Sequence, residues 1–184
     1  MTKQYITRKC TFDSGHRVMN ERMKCFSMHG HTYLCELTFE FDSMETIGYA
    51  IDFKEIKRVG CQWIDDTLDH GFICNPRDTD VIKACNATNS KMWFMSLNGV
   101  NQYCNPSAEN IAKEIFLAME VLFAKYEHLR IHKVLLYETP NSYTECFANS
   151  ISELERDNWM FTNLEHVELY RDDKGVFEYD DRKI

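Results

Sequence analysis

Residues 25–31 read Cys-Phe-Ser-Met-His-Gly-His, and a further histidine, His16, precedes them in Phe-Asp-Ser-Gly-His-Arg. On a strand alternate side chains share a face, so His29 and His31 project together. If the segments on either side of the intervening loop pair as a hairpin, His16 joins them. Three neutral imidazoles with a fourth position open form the donor set of a catalytic zinc site, although other imidazole-favouring metals suit the same ligands. The plainer alternative is that one or more of the three is a surface or hydrogen-bonded histidine. Cys25 has three readings: a fourth ligand that closes a structural site, a thiolate working beside an open one, or an ordinary thiol. Arg22 and Lys24 would help lower its pKa, as would a metal. Spacing alone does not separate ligand from base.

The elements that must position these residues follow from periodicity. Residues 3–13 carry Tyr5, Ile6, Cys10 and Phe12 in loose alternation, and in 32–42 Tyr33, Cys35, Leu37, Phe39 and Phe41 fall on one face at period two. The two strands bracket the Cys25 loop. Residues 52–70 read as a helix, with Asp52 and Glu55 at capping-box spacing and an apolar stripe of Phe53, Ile56, Val59, Trp63 and Ile64. A short helix over 78–87, a strand over 91–97 and a turn at Asn98-Gly99 come next. The clearest helix spans 105–126, opened by Pro106 and Ser107, with Glu109 near its N-terminus and Ile111, Ile115, Met119 and Leu122 at helical spacing. Strands at 132–138 and 143–149 follow, and the acidic stretch 153–184 suggests a hairpin around Asp172–Gly175. This order predicts an α+β domain with helices on one face of an antiparallel sheet.

The chain has 184 residues, enough for one domain with a core, and 44% of them are hydrophobic and 27% charged, as in a soluble globular protein. No apolar run reaches the length of a membrane span, and the strand-like N-terminus lacks the apolar core of a signal peptide, so the cytoplasm is the expected location. The net charge of −8 argues against a nucleic-acid partner, but not against a small anion held by a local cluster of cations. Eight cysteines are scattered without a C-x-x-C pair, so reduced thiols are expected. Most of Cys10, Cys35, Cys61, Cys74, Cys85, Cys104 and Cys146 read as small core hydrophobes.

Taken together, Phe-Asp-Ser-Gly-His-Arg, Cys-Phe-Ser-Met-His-Gly-His-Thr-Tyr, Leu-Asp-His, Asn-Pro-Ser-Ala-Glu-Asn-Ile-Ala and Tyr-Glu-Thr resemble, in order over about residues 3–149, the 6-pyruvoyl tetrahydropterin synthase family. Within it the chain looks like the bacterial 6-carboxytetrahydropterin synthases of queuosine biosynthesis. The resemblance implies zinc on His16, His29 and His31, Cys25 as catalytic base, and Asp69 and His70 as a proton relay beside it. It gives Glu138 the grip on a pterin ring, through two parallel hydrogen bonds from ring N–H and amine. Without it, Asp69 reads as a helix-end carboxylate, His70 as a C-terminal capping histidine and Glu138 as an exposed strand carboxylate. The implied substrate is 7,8-dihydroneopterin triphosphate, for whose phosphates Arg17, Arg22 and Lys24 are the nearest cations; each also reads as a solvated loop charge.

The family has branches. One expels triphosphate and keeps the side chain as 6-pyruvoyl tetrahydropterin; another also cleaves the side chain to give 6-carboxytetrahydropterin and acetaldehyde. The short spacing from Cys25 to His29 resembles the carboxy branch, and Cys25 argues against a third, aldolase-like branch that carries glutamate there. A different class of reading has Cys25 and the three histidines closing a structural zinc site in a non-enzymatic domain, and a zinc-free pterin-binding module is a further one. The implied fold is a tunnelling fold, a four-stranded antiparallel sheet with two helices on one face, assembling as a hexamer of two trimers. Residues 1–152 form the expected domain, with an enlarged element between His70 and Pro106. Residues 153–184 form an acidic extension packed on it.

Overall fold

The computed structural model describes residues 3–22 and 24–175. Its frame is the hairpin of β1 (Gln4–His16) and β2 (His29–Phe41), paired antiparallel along their whole length from Gln4↔Phe41 to His16↔His29. Both strands run further toward the Cys25 loop than the sequence alternation marks, and that extra length brings the histidines onto the ladder. Two more antiparallel strands, β5 (Leu129–Thr139) and β6 (Ser142–Phe147), continue the sheet beyond β2. On the other side two short strands, β3 (Gly71–Cys74) and β4 (Lys91–Phe94), add in parallel, giving the order β4-β3-β1-β2-β5-β6. The four antiparallel strands β1, β2, β5 and β6 are therefore one side of a mixed six-stranded sheet, with the parallel pair β3 and β4 on the other.

The helix expected over 52–70 is built in three continuous pieces, α1 (Phe53–Ile56), a π-helical turn (Lys57–Cys61) and α2 (Gln62–Thr67), with helical dihedrals at both joins. The Asp52 side chain caps the first by accepting from the Lys54 amide. Gly60 lies in the π turn because a Cβ there would stand 3.0 Å from Met119 Sδ and 3.2 Å from the Phe123 ring. The missing side chain lets this helix press against α4 (Ala108–Leu122), whose N-cap is Ser107. Between them in sequence, α3 (Thr79–Ala87) is capped by Asp78 and packs beside β3 in a satellite cluster of Cys74, Val81 and Cys85.

The core lies between the sheet and these helices. Phe12 stacks on Tyr33 at 4.9 Å, Phe39 meets Phe123 at 4.6 Å, and Ile111, Ile115, Phe116 and Met119 of α4 are sealed over them. Full burial of each such side chain contributes about 1.5–3 kcal/mol. The expected hairpin around Asp172–Gly175 does not form. Residues Glu153–Lys174 are instead one helix, α5, started by a capping box between Ser152 and Glu155 and ended at Gly175, whose φ is +67°. Its Trp159 and Val167 are fully buried, and the Trp159 indole donates to Glu114 of α4 at 2.6 Å.

All eight cysteines are free thiols; Cys10 and Cys25 are half-buried and the others buried.

Candidate metal centre

The last rung of the β1–β2 ladder is His16 opposite His29, and His31 stands level with Ser14. Alternation points His16, His29 and His31 to the same side as Phe12 and Tyr33, so the three rings continue the core face out to its rim. Ring centroids lie 4.5 Å (His16–His29), 5.0 Å (His29–His31) and 5.3 Å (His16–His31) apart. One nitrogen from each falls within 4.8 Å of the others. Gly30 serves the strand pairing here, since a Cβ would stand only 3.1 Å from the Ser14 carbonyl oxygen.

Backbone carbonyls fix two of the tautomers. His16 Nδ1 lies 2.7 Å from the Pro106 oxygen and His29 Nδ1 lies 2.7 Å from the Ser27 oxygen. A carbonyl only accepts, so each Nδ1 carries the proton and each neutral ring turns a bare lone pair outward at Nε2. Those two Nε2 atoms face each other at 3.1 Å. Glu138 adds Oε1 at 3.5 Å from His16 Nε2 and 3.9 Å from His31 Nε2. Burial, ahead of the neighbouring imidazoles, pushes the His16 pKa down and so favours the neutral ring. The Tyr33 hydroxyl, buried beside His16 and His31, has no hydrogen-bond partner among the described residues. Burial pushes that phenol far up, with the charges of Glu138 and Cys25 adding to the effect. Converging lone pairs are repulsive until a cation sits among them, and tetrahedral Zn–N bonds of about 2.0–2.1 Å put ligand nitrogens roughly 3.3 Å apart. The donor set fits a divalent metal held by three imidazoles. Pro106 and Ser27 are the groups that would orient two of them.

Asp69 and His70 form a second cluster. The Asp69 carboxylate accepts from the His70 ring and, at 2.6 Å, from the Asp13 amide. Burial works to raise the Asp69 pKa, but the Asp13 amide and the His70 ring outweigh it and hold the carboxyl low. The His70 pKa is raised, chiefly by its hydrogen bond to Asp69. His70 takes a positive φ of 52° and exposes 80% of its side chain. His31 and His70 border one shallow depression of about 380 Å³. The Cys25 carbonyl accepts from the Val18 amide, and the His70 amide donates to the Asp13 carbonyl. The structure brings His16, His29, His31 and Glu138 together, and pairs Asp69 with His70.

The three cations differ in their engagements. Arg17 Nε lies 2.8 Å from the buried Asp78 carboxylate, and its guanidinium sits over the Phe26 ring. Arg22 and Lys24 are exposed on the loop. A larger cleft of about 680 Å³ at the far end of β2 is lined by Lys3, Glu40, Arg130, His132 and Phe147, and among the described residues it holds no comparable set of metal donors.

The model of the family described as 6-pyruvoyl tetrahydropterin synthase matches residues 5–149. The chain belongs to that family. A protein of Rickettsia felis named 6-carboxy-5,6,7,8-tetrahydropterin synthase is 34% identical over 143 residues, covering 76% of this chain and 96% of the relative. A protein of the same name from Haemophilus influenzae is 29% identical, with the same two coverages. Among solved structures, the 6-pyruvoyl tetrahydropterin synthase of Plasmodium vivax superposes with a TM-score of 0.57 at 18% identity, covering 79% of this chain and 98% of that one. An uncharacterised protein of Wolinella succinogenes superposes with a TM-score of 0.64 at 19% identity, covering 80% and 99%. The fold is thus that of the tunnelling-type synthases, and α5 lies beyond the family match.

Sequence reasoning passed over the carbonyls of Pro106 and Ser27, the partnerless Tyr33 hydroxyl and the carboxamide of Asn105. Backbone groups leave no mark in residue types. Asn105 and Pro106 were legible only as the opening of a helix, and Tyr33 only as the next inward residue after His31.

Proposed function

We propose that the chain is a zinc-dependent lyase that converts 7,8-dihydroneopterin triphosphate to 6-carboxy-5,6,7,8-tetrahydropterin, acetaldehyde and triphosphate in the cytoplasm, on the route to queuosine. The observation that carries the reading is the pair of bare Nε2 atoms of His16 and His29 at 3.1 Å, with His31 and the Glu138 carboxylate turned toward the same space. Relatives named for this product match almost their entire length to this chain. No helix among the described residues is long and apolar enough to cross a membrane.

His16, His29 and His31 would hold the zinc, which when bound would supply Lewis-acid chemistry toward the oxygens of the substrate side chain. The chain's own residues do the rest. Glu138 accepts from the ring N–H and amine of the pterin and fixes its orientation beside the metal. Cys25 takes and returns the protons of the side-chain carbons. Asp69 holds His70 by its ring N–H, and the raised His70 pKa keeps a proton available at that ring. Asp69 and His70 relay those protons with Cys25, and the hexamer is the working assembly. Arg22 and Lys24 face the triphosphate; Arg17, already paired with Asp78, positions that loop.

The test is a product assay with zinc-loaded protein and 7,8-dihydroneopterin triphosphate, run beside Cys25→Ala, His31→Ala and Glu138→Gln. Acetaldehyde and 6-carboxytetrahydropterin are expected from the wild type alone. His31→Ala should lose zinc, whereas Cys25→Ala should keep zinc and fold. Triphosphate release without acetaldehyde would move the chain to the pyruvoyl branch. Loss of zinc and folding together in Cys25→Ala would instead identify a structural Cys-His₃ site.

A further inference from the structure

Asn105 uses its entire hydrogen-bonding capacity on one task. Its Oδ1 accepts from the Met19 amide at 3.0 Å and from Asn75 Nδ2 at 2.9 Å. Its Nδ2 donates to the Met19 carbonyl at 2.9 Å and to the Tyr103 hydroxyl at 2.9 Å. The carboxamide thereby grips both backbone groups of Met19, as a neighbouring strand would. Tyr103 reinforces the grip by donating its hydroxyl to the same Met19 carbonyl at 2.9 Å, and it accepts from Asn20 Nδ2 at 3.2 Å. The clamp is itself held: Asn110 Nδ2 donates to the Asn105 carbonyl at 2.9 Å, and Asn75 Oδ1 accepts from Arg77 and Cys104 amides at 3.0 and 3.3 Å.

Met19 lies in the loop that leaves His16 and leads to Cys25. In that loop the preceding residue, Val18, donates its amide to the Cys25 carbonyl at 2.9 Å. The residue after Asn105 is Pro106, whose carbonyl orients His16. Two consecutive residues therefore reach the metal ligand and the loop that carries the thiol.

We propose that Asn105, seconded by Tyr103, is a positioning residue that sets the Cys25 loop relative to the histidine cluster. Its role in catalysis rests on the function proposed above, but its effect on the loop does not. Proton transfer requires the thiolate within hydrogen-bond reach of carbon-bound protons, and a displacement of about 1 Å costs on the order of 10²-fold in rate. Asn105→Ala removes all four bonds at once. Tyr103→Phe removes one donor to Met19 and leaves the carboxamide grip.

The experiment measures the rate of Cys25 alkylation by iodoacetamide, read on its own peptide by mass spectrometry, beside zinc content, Tm, kcat and KM. In Asn105→Ala a roughly tenfold faster alkylation and a kcat lower by about 10²-fold are expected, with zinc still stoichiometric. Tyr103→Phe should change both in the same direction by a smaller factor. Unchanged alkylation and kcat in a folded Asn105→Ala protein overturn the proposal. So does zinc lost in step with kcat, since the residue would then act through Pro106 on His16. Should Asn105→Ala fail to fold, Tyr103→Phe decides: wild-type alkylation overturns the proposal, and faster alkylation at unchanged Tm supports it. A wild type that turns over no pterin defeats the proposed function, and the alkylation rates then judge the clamp alone.

Discussion

Glu114 is a carboxylate sealed inside the protein, and replacing it with glutamine should change how stability depends on pH. Its Oε1 accepts from the Ser96 amide at 2.7 Å, and its Oε2 from the Trp159 and Trp93 indoles at 2.6 and 3.3 Å. These donors favour the charged form, but burial outweighs them and pushes the pKa from an ordinary 4.5 up to about 7. A carboxyl whose pKa is raised by folding adds stability in full below the unfolded value, and that contribution is lost as pH rises through the folded one. About 2.5 units at about 1.4 kcal/mol each give a total loss of about 3.5 kcal/mol as pH rises from below 4.5 to above 7. Glu114→Gln has no titrating proton there. Its amide must also face one of the donors, which costs about 1–3 kcal/mol for the unpaired group. Wild type should therefore be the more stable at pH 5, and its advantage should fall by about 2.5 kcal/mol by pH 8. Urea unfolding followed by tryptophan emission measures both proteins, and the depressed carboxyls of Asp66, Asp69 and Glu155 cancel in the difference. A gap that holds constant across this range refutes the reasoning.

Asp69→Asn should bring the His70 titration, followed by NMR of the ring protons, back down toward the ordinary histidine range, because the raised value depends first on the Asp69 hydrogen bond. The pairing is present below the ordinary histidine pKa and fades as pH rises through the raised one, so an unshifted titration in the variant would show that Asp69 does not hold the ring. Ser152→Ala breaks the capping box that starts α5 and should cost about 1 kcal/mol, a fall of about 2–4 °C in Tm by calorimetry. No change there would mean that α5 is held by its packing alone.

The hairpin and its histidines were legible because alternation over Tyr33, Cys35, Leu37 and Phe39 fixes which residues face inward, and the parity carries back to His31 and His29. The long helix was legible from Ser107 and the spacing of Ile111, Ile115 and Met119. Gly71–Cys74 was not, because four residues are too few to show a period and a parallel pair has no turn to announce it. α5 was misread because its acidic, turn-like end at Asp172–Gly175 outweighed better signals. Ser152 with Glu155 is a capping box, and Trp159, Asn163 and Val167, each four residues apart, form the stripe that α5 buries. At the site, residue types showed which side chains could act but not which carbonyls would turn them. That information enters only when Pro106 and Ser27 are folded against His16 and His29.

The parallel strand β3 meets β1 only at Ser14–His16, so among the described residues Gln4–Asp13 are paired on the β2 side alone. β1 is thus an interior strand where it carries His16 and, among the described residues, an edge strand everywhere else. The short parallel strand works as a doorstop: a strand from another chain that adds to β1 must end before Ser14 and cannot slide along the ladder to cover the histidines. At β1, growth of the sheet is confined to Gln4–Asp13, which keeps an added strand off the rung that carries His16.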